Sequence, residues 1–357
     1  NVGDEAILES LCGMIRKIYP AAGIEVLSHR PADTQARYDC DAVTRFSPLG
    51  LFSAVGRCDV LISGGGSLLQ DTTSTRSLLY YLMVIRIAQR RHRRVVLLAN
   101  GIGPVKKPAN RRRVAAAVQN ARYVTLRDPE SLQEIAAMGV HRTDVAVSAD
   151  PVFLMEPAET ERAKKILTIF GVGSDPFVAV SVRPWKDSDG MEERLAEICD
   201  RIIEEHGRKV LFVTMQQGRD EQTAKEILAR MRNSAAVLEG VESARDIMAV
   251  IGQSDLILSM RLHSLIFAAR MAVPAIGISY DPKLDAYLRL LEQPSAGHAA
   301  DIDIAGTMAA VADILQNHAE KVKKLEEKRR DLVAAARQNE ALLYRLGGME
   351  REGAQGT

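Results

Sequence analysis

The chain has 357 residues, 46% hydrophobic and 26% charged, which is ordinary for a soluble globular protein but long for a single core, so two domains are expected. A net charge of +1 and 4% aromatic residues exclude a global field for nucleic acid and argue against a stacking surface for single strands, so any anion site must be built locally. No apolar run approaches the ~20 residues of a membrane span, and no signal peptide is visible. The sequence opens at Asn1 without a Met, and the expectation is that an upstream segment is absent from it. Cys12, Cys40, Cys58 and Cys199 follow no CxxC or metal-ligand spacing, which points to reduced thiols in a cytoplasmic protein.

Along the chain, apolar spacing predicts a helix over 4–18, stopping before Pro20, and a short strand at Ile24–Leu27. A buried strand at 59–63 runs into Gly64-Gly65-Gly66-Ser67, and a helix over 77–90 follows. The strand 95–99 ends at Asn100-Gly101-Ile102-Gly103-Pro104, and a helix covers 110–120. The strand 123–126 ends at Arg127-Asp128, and helix 130–138 and a strand near 145–148 lead to Asp150-Pro151. This alternation predicts a parallel sheet with helices on both faces, forming a first domain over 1–155. Residues 156–175 read as a linker. A second alternation over 176–303 has strands at 177–182, 209–213, 236–238, 255–258 and 274–278. Helices cover 304–346, and the polar tail 347–357 reads as disordered. Two Rossmann-like parallel-sheet domains facing a cleft, with C-terminal helices, describe an α/β, GT-B-like architecture.

The strongest chemical signal is Leu256–Ser264. An apolar strand ends in Arg261 and His263, and a helical pattern follows. In α/β folds ligands bind beyond the carboxyl ends of strands, where helix N-termini favour anions. Arg supplies a planar, permanent cation and His a proton carrier near neutrality. In an extended segment both side chains would face one side. Arg183 closes the first strand of the second half, ahead of Pro184 and Trp185, and reads as an anion ligand or a surface Arg. Lys283 would add positive charge at the same edge. In the first half, Gly65 and Gly66 let backbone approach a ligand, but the motif is neither a P-loop nor GxGxxG. Asp71 reads as an acceptor for sugar hydroxyls or as a loop-capping carboxylate. Arg127 opposes a helix dipole unless it points at an anion. The basic, apolar-periodic segment 320–346 reads as a peripheral membrane contact or, preferably, as a packed helix with a solvated face.

Taken together, Asn1-Val2-Gly3-Asp4-Glu5, Gly64 to Asp71, Gly101-Ile102-Gly103-Pro104, Arg127-Asp128, Asp150-Pro151 and above all Arg261-Leu262-His263 resemble the polysaccharide pyruvyl transferase family over nearly the whole chain. The nearest resemblance is to bacterial enzymes that place a pyruvate ketal on N-acetylmannosamine of secondary cell-wall polymers, which anchors S-layer proteins. The strand and glycine-bearing turn that precede the Asn-x-Gly-Asp element in that family are lacking in this sequence.

The resemblance implies a GT-B-like transferase using phosphoenolpyruvate as co-substrate and a lipid-linked saccharide as acceptor, with no cofactor and no metal. The protein is expected in the cytoplasm, with peripheral contact at the inner face of the plasma membrane as a further expectation. The second half would bind the donor through Arg183, Arg261, His263, Ser264 and Lys283, with His263, Arg261 and Arg183 catalytic. The first half would bind the acceptor through Asn1, Asp4, Glu5, Gly65, Gly66, Asp71 and Arg127. Two rivals share the architecture: a nucleotide-sugar glycosyltransferase, with Glu239 or Glu242 on ribose hydroxyls, and a non-catalytic saccharide-binding protein.

Overall fold

The computed structural model describes residues 1–72, 74–185 and 190–348. Apart from Gly347 and Gly348, the tail expected to be disordered lies outside the described residues. By internal contacts the chain forms two units. The N-terminal unit is Ile7–Leu154 with the residues from Leu332 onward, and the C-terminal unit is Met155–Asp331 with Asn1–Ala6.

The N-terminal unit takes most of helix α1 (Val2–Ile18), then β1 (Glu25–Ser28), α2 (Pro31–Tyr38), β2 (Asp41–Thr44), α3 (Pro48–Arg57), β3 (Val60–Gly64) and α4 (Thr75–Arg90). There follow β4 (Arg94–Asn100), α5 (Pro108–Gln119), β5 (Tyr123–Leu126), α6 (Pro129–Ala137) and β6 (Ala146–Val147). Strands β3, β4, β5 and β6 form one parallel sheet in that order, and β1 pairs with β2 in a separate parallel pair. Strand β4 is buried from Val95 to Asn100, as expected where helices cover both faces. Helix α4 turns Leu78, Leu82, Ile85 and Ala88 into this core. Residues 28–58, unread in the sequence, hold α2, β2 and α3. Helix α2 buries only Thr34, so it shows no apolar stripe to read.

The C-terminal unit carries α7 (Thr160–Ile169), β7 (Phe177–Ser181), α8 (Met191–His206), β8 (Lys209–Val213), α9 (Arg219–Leu228), β9 (Ala236–Leu238) and α10 (Ala244–Ile251). It continues with β10 (Leu256–Ser259), α11 (Leu262–Arg270), β11 (Ala275–Ser279), α12 (Pro282–Leu291), β12 (Ser295–His298), β13 (Asp301–Ile302), α13 (Ile304–Gln316) and the first part of α14 (His318–Leu346). Seven strands run in the order β13-β12-β11-β10-β7-β8-β9, and all pairs except β12–β13 are parallel. Strands β7, β10 and β11 are buried throughout, and Phe212 and Phe267 are wholly enclosed. Truncating a phenylalanine so enclosed costs about 3–5 kcal/mol.

The expected linker 156–175 holds a packed helix. Helix α7 buries Ala163, Ile166 and Leu167, and Arg162 pairs with Asp246 of α10. The first six residues belong to the C-terminal unit, not to the domain 1–155 in which the sequence placed them. In α14, Leu325, Ala336, Leu342 and Leu343 are buried, and Thr125 Oγ1 donates to Asn339 Oδ1 at 2.7 Å. Its apolar positions are used for packing.

Candidate active site

The seven-stranded sheet reverses its order of growth at β7. Strands β8 and β9 extend it one way, and β10, β11 and β12 the other. Loops beyond the carboxyl ends of strands diverge at such a switch point and leave room for a ligand. Across it Ser181 of β7 lies opposite Ser259 of β10, and the Met260 amide donates to the Ser181 carbonyl at 2.8 Å. Arg183 and Arg261 each follow their paired serine by two residues. Both therefore leave the sheet at one level on adjacent strands.

The turn from β10 into α11 is built by hydroxyls. Ser259 Oγ accepts from the Arg261 amide at 2.9 Å and lies 2.5 Å from Ser264 Oγ, which donates to the Arg261 carbonyl at 2.7 Å. Ser264 is fully buried. The expected donor contact from Ser264 is thereby corrected: its hydroxyl holds the turn that presents Arg261. The extended reading of Arg261 and His263 is corrected too. Arg261 caps α11, and His263 is its second helical residue.

Arg261 is 12% exposed, and its guanidinium forks onto Asp220, with Nε 3.0 Å from Oδ2 and Nη2 bonded to Oδ1. Nη2 also lies 3.3 Å from Gln216 Oε1. Asp220 is wholly buried and also accepts from the amides of Met215 and Gln216. Its carboxylate orients the Arg261 fork and offsets part of its charge. That Asp220 fixes Arg261 became visible only in three dimensions.

Arg183 is held differently. Its guanidinium carbon lies 4.6 Å from the centre of the Tyr280 ring and 6.0 Å from that of Trp185. Its Nε is buried and has no hydrogen-bond partner among the described residues. A cation on aromatic faces keeps its charge for a ligand. A buried donor without a partner calls for an explanation, and a ligand oxygen would supply one. Lys283 is the second residue of α12, beyond β11, and its amide donates to Asp281 Oδ1 at 2.9 Å.

The start of α1 closes on His263. Asn1 Oδ1 accepts from the Gly3 amide at 3.2 Å, Asn1 Nδ2 donates to Asp4 Oδ2 at 3.0 Å, and the Val2 amide donates to the Met215 carbonyl at 2.8 Å. A Cβ on Gly3 would overlap Nδ1 and Cγ of the imidazole and stand 2.9 Å from His263 Cβ. Only glycine lets helix backbone come this close. The role of Gly3 escaped the sequence reading. A glycine in the first turn of a helix is a weak former, and that was the available signal. Asn1, Asp4 and Glu5, expected on the acceptor domain, lie in the same unit as His263.

The other acceptor candidates lie in the N-terminal unit and are largely occupied. Gly65 (φ +62°) and Gly66 (φ +63°) form the turn after β3, and Ile7 packs where a Gly65 side chain would be. The Gly65 amide donates to the Leu98 carbonyl and the Gly101 amide to that of Gly66. Arg127 is 7% exposed, with Nη2 on Ser67 Oγ at 2.8 Å and Nη1 3.4 Å from Asp150. It braces this edge from within, which corrects the expectation of a cation offered to a ligand. Asp71 accepts from the amides of Lys106 and Lys107 and from Asn110 Nδ2 at 2.7–3.1 Å. Burial alone would raise its carboxyl, but these hydrogen bonds and the Lys107 charge outweigh it and hold it below the usual carboxylate range. This is the loop-capping role.

No described helix is long and apolar enough to cross a membrane, and no group of three or more described His, Cys, Asp or Glu residues is placed to hold a metal. The four cysteines are free, with Cys12 pushed up to about 11, chiefly by burial.

Two parallel-sheet units, with cations and an imidazole gathered at the switch point of one, define the class by fold: an α/β protein of GT-B type. The model of the polysaccharide pyruvyl transferase family matches residues 1–282, and the chain belongs to that family. No curated protein matches the sequence. Among solved structures the fold is similar to that of Staphylococcus aureus MnaA with UDP (12% identity, 99% of this chain and 97% of that one, TM-score 0.69). It is also similar to UDP-GlcNAc 2-epimerase from Neisseria meningitidis bound to UDP-GlcNAc (14%, 96% and 97%, TM-score 0.64). Anabaena HepE in complex with UDP-glucose is a third such structure (12%, 95% and 96%, TM-score 0.63).

Proposed function

We propose that this transferase moves the pyruvyl group of phosphoenolpyruvate onto two hydroxyls, 4 and 6, of N-acetylmannosamine in a lipid-linked cell-wall precursor. Phosphate is released, and the ketal serves S-layer anchoring. The observation that carries the donor is Arg183: a cation without a carboxylate partner among the described residues, its buried Nε unpartnered, level with Arg261. Phosphoenolpyruvate brings a phosphate and a carboxylate; the planar Arg183 guanidinium suits either, and Arg261, whose Nε and Nη2 are held by Asp220, adds its Nη1 edge and its charge. Lys283 adds a third cation.

In the reaction the methylene carbon takes a proton and becomes a methyl group, leaving an oxocarbenium-like centre. One sugar hydroxyl attacks that centre and loses its proton. The bond from that carbon to the phosphate oxygen breaks, and a second hydroxyl closes the ketal, its proton leaving to the released phosphate or to solvent. His263 supplies the proton to carbon or to the departing phosphate, a role worth about 10²–10⁴-fold in rate. Asp4 and Glu5, in the same unit, are candidates for orienting the acceptor hydroxyl. The reaction needs no metal or cofactor, and turnover persists in chelator. The enzyme works in the cytoplasm, at the inner face of the membrane that carries its acceptor.

The test is phosphate release from phosphoenolpyruvate with mannosamine-containing acceptors, followed by the mass of the product. His263→Ala abolishes ketal formation while phosphoenolpyruvate still raises the melting temperature. Near-normal turnover in that variant removes His263 from the chemistry. A nucleotide-sugar reading draws support from the UDP-bound relatives by fold. Its two carboxylates are Glu239, which is paired with Lys225 at 2.9 Å, and Glu242. Stabilisation by UDP-sugars and not by phosphoenolpyruvate would select that reading.

A further inference from the structure

The N-terminal unit bears a surface that the proposed chemistry does not use. Five of the nine large hydrophobic side chains most exposed among the described residues are Phe46, Leu49, Phe52, Leu79 and Met83. Leu49 is 84% exposed and Phe46 64%. They belong to α3, the residues just before it, and α4, two helices in contact. Arg45 stacks on both Phe46 and Tyr80, and Arg91 stacks on Phe52, which ties the patch together.

Along α4, Arg76, Leu79, Met83, Arg86 and Arg90 are the exposed residues, three or four apart, on one face. Arg86 and Arg90 continue into a groove at the amino ends of β4 and β5, opposite the Gly65 and Arg127 edge. Eight residues lining the groove are arginine, and its single carboxylate, Asp144, is taken by Arg142. Arg86, Arg90 and Arg112 form no ion pair among the described residues, and Arg122 shares the charge of Asp144 with Arg142. Residues 75–94 contain six arginines and no Asp or Glu, and α3 has no acidic residue either.

We propose that this face docks the protein on an anionic lipid bilayer, with Phe46, Leu49, Phe52, Leu79 and Met83 at the headgroup–acyl boundary and the arginines on lipid phosphates. Exposed apolar side chains rimmed by unpaired arginines fit that interface and no aqueous role. A second copy fits poorly, because a twofold contact would set arginine against arginine. With a net charge of +1, the attraction is a local field, not a global one. The inference stands on this surface alone and does not depend on the donor chemistry.

The test is flotation of the purified protein with vesicles of phosphatidylcholine, with and without phosphatidylglycerol. Binding is expected only to the anionic vesicles and weakens with added salt. Each arginine near such a surface is worth about 1 kcal/mol, so Arg86→Gln with Arg90→Gln weakens partitioning about 30-fold. Leu49→Ser with Phe52→Ser also releases the protein. These side chains are exposed, so melting temperature and phosphate release with a soluble acceptor stay at wild-type values. Equal binding to neutral vesicles, or unchanged binding of the variants, overturns the proposal. So does binding of an oligonucleotide duplex, or concentration-dependent self-association lost in Leu49→Ser/Phe52→Ser, when vesicles are not bound.

Discussion

Adding one methyl group at Gly3 should disable the enzyme without unfolding it. A Cβ there meets the His263 imidazole at Nδ1 and Cγ and stands 2.9 Å from its Cβ, where ordinary contact begins near 3.4 Å. The ring has to give way by about 1 Å, and a misplacement of that size near reacting atoms costs about 10²-fold in rate. Stability moves little by comparison. Alanine is a better helix former than glycine by about 1 kcal/mol, which offsets strain in the first turn of α1. Gly3→Ala is therefore expected to lower kcat for phosphate release about 10²-fold while the melting temperature changes by a few degrees at most. The loss should vanish in a His263→Ala background, because two changes acting through one imidazole are not additive. A displaced His263 resonance in an imidazole NMR spectrum reads the same event without turnover. Wild-type kcat with an unmoved resonance would falsify the positioning of His263 by α1.

Other expectations concern residues whose roles the structure changed. Arg127→Met takes the guanidinium from buried Asp150, which keeps its bond from the Val152 amide, and should lower the melting temperature by several degrees. A raised acceptor KM with unchanged melting would restore Arg127 to the ligand. Asp220→Asn removes the charge that fixes the Arg261 fork, and kcat should fall while Arg261→Lys fails to compensate, since an ammonium cannot span both oxygens. A double variant as active as wild type would contradict this. The Asp71 carboxyl is held below its ordinary value, so its contribution to stability is present above that value and is lost as pH falls through the lower, folded-state one. Asp71→Asn should flatten the acid limb of a melting-temperature profile below about pH 4 and leave neutral-pH turnover unchanged. An unaltered acid limb would show that its hydrogen bonds in the Lys106–Asn110 loop do not stabilise the fold.

Much of this protein was readable as text because its strands are short apolar runs ended by glycine or charge. Val95–Ala99, Phe177–Ser181 and Leu256–Ser259 are strands where the pattern put them, and Arg261 leaves its strand at the predicted edge. The register of Arg183 with Arg261 follows from strand order, which hydrophobic spacing does not encode. The charged segment that holds helix α7 reads as a partly helical linker, and its packing was hidden because its charged residues outnumber the three it buries.

Local chemistry along the chain was enough to specify the alternating strands and helices, the family and the candidates for holding an anion. Which of those residues are left to do so depended on distant partners. Arg127 is consumed by Ser67 and Asp150, Arg261 is steered by Asp220, and Arg183 is left on aromatic faces. A side chain's charge is written in the sequence, but whether a neighbour neutralises it depends on which segments folding brings within a few ångströms.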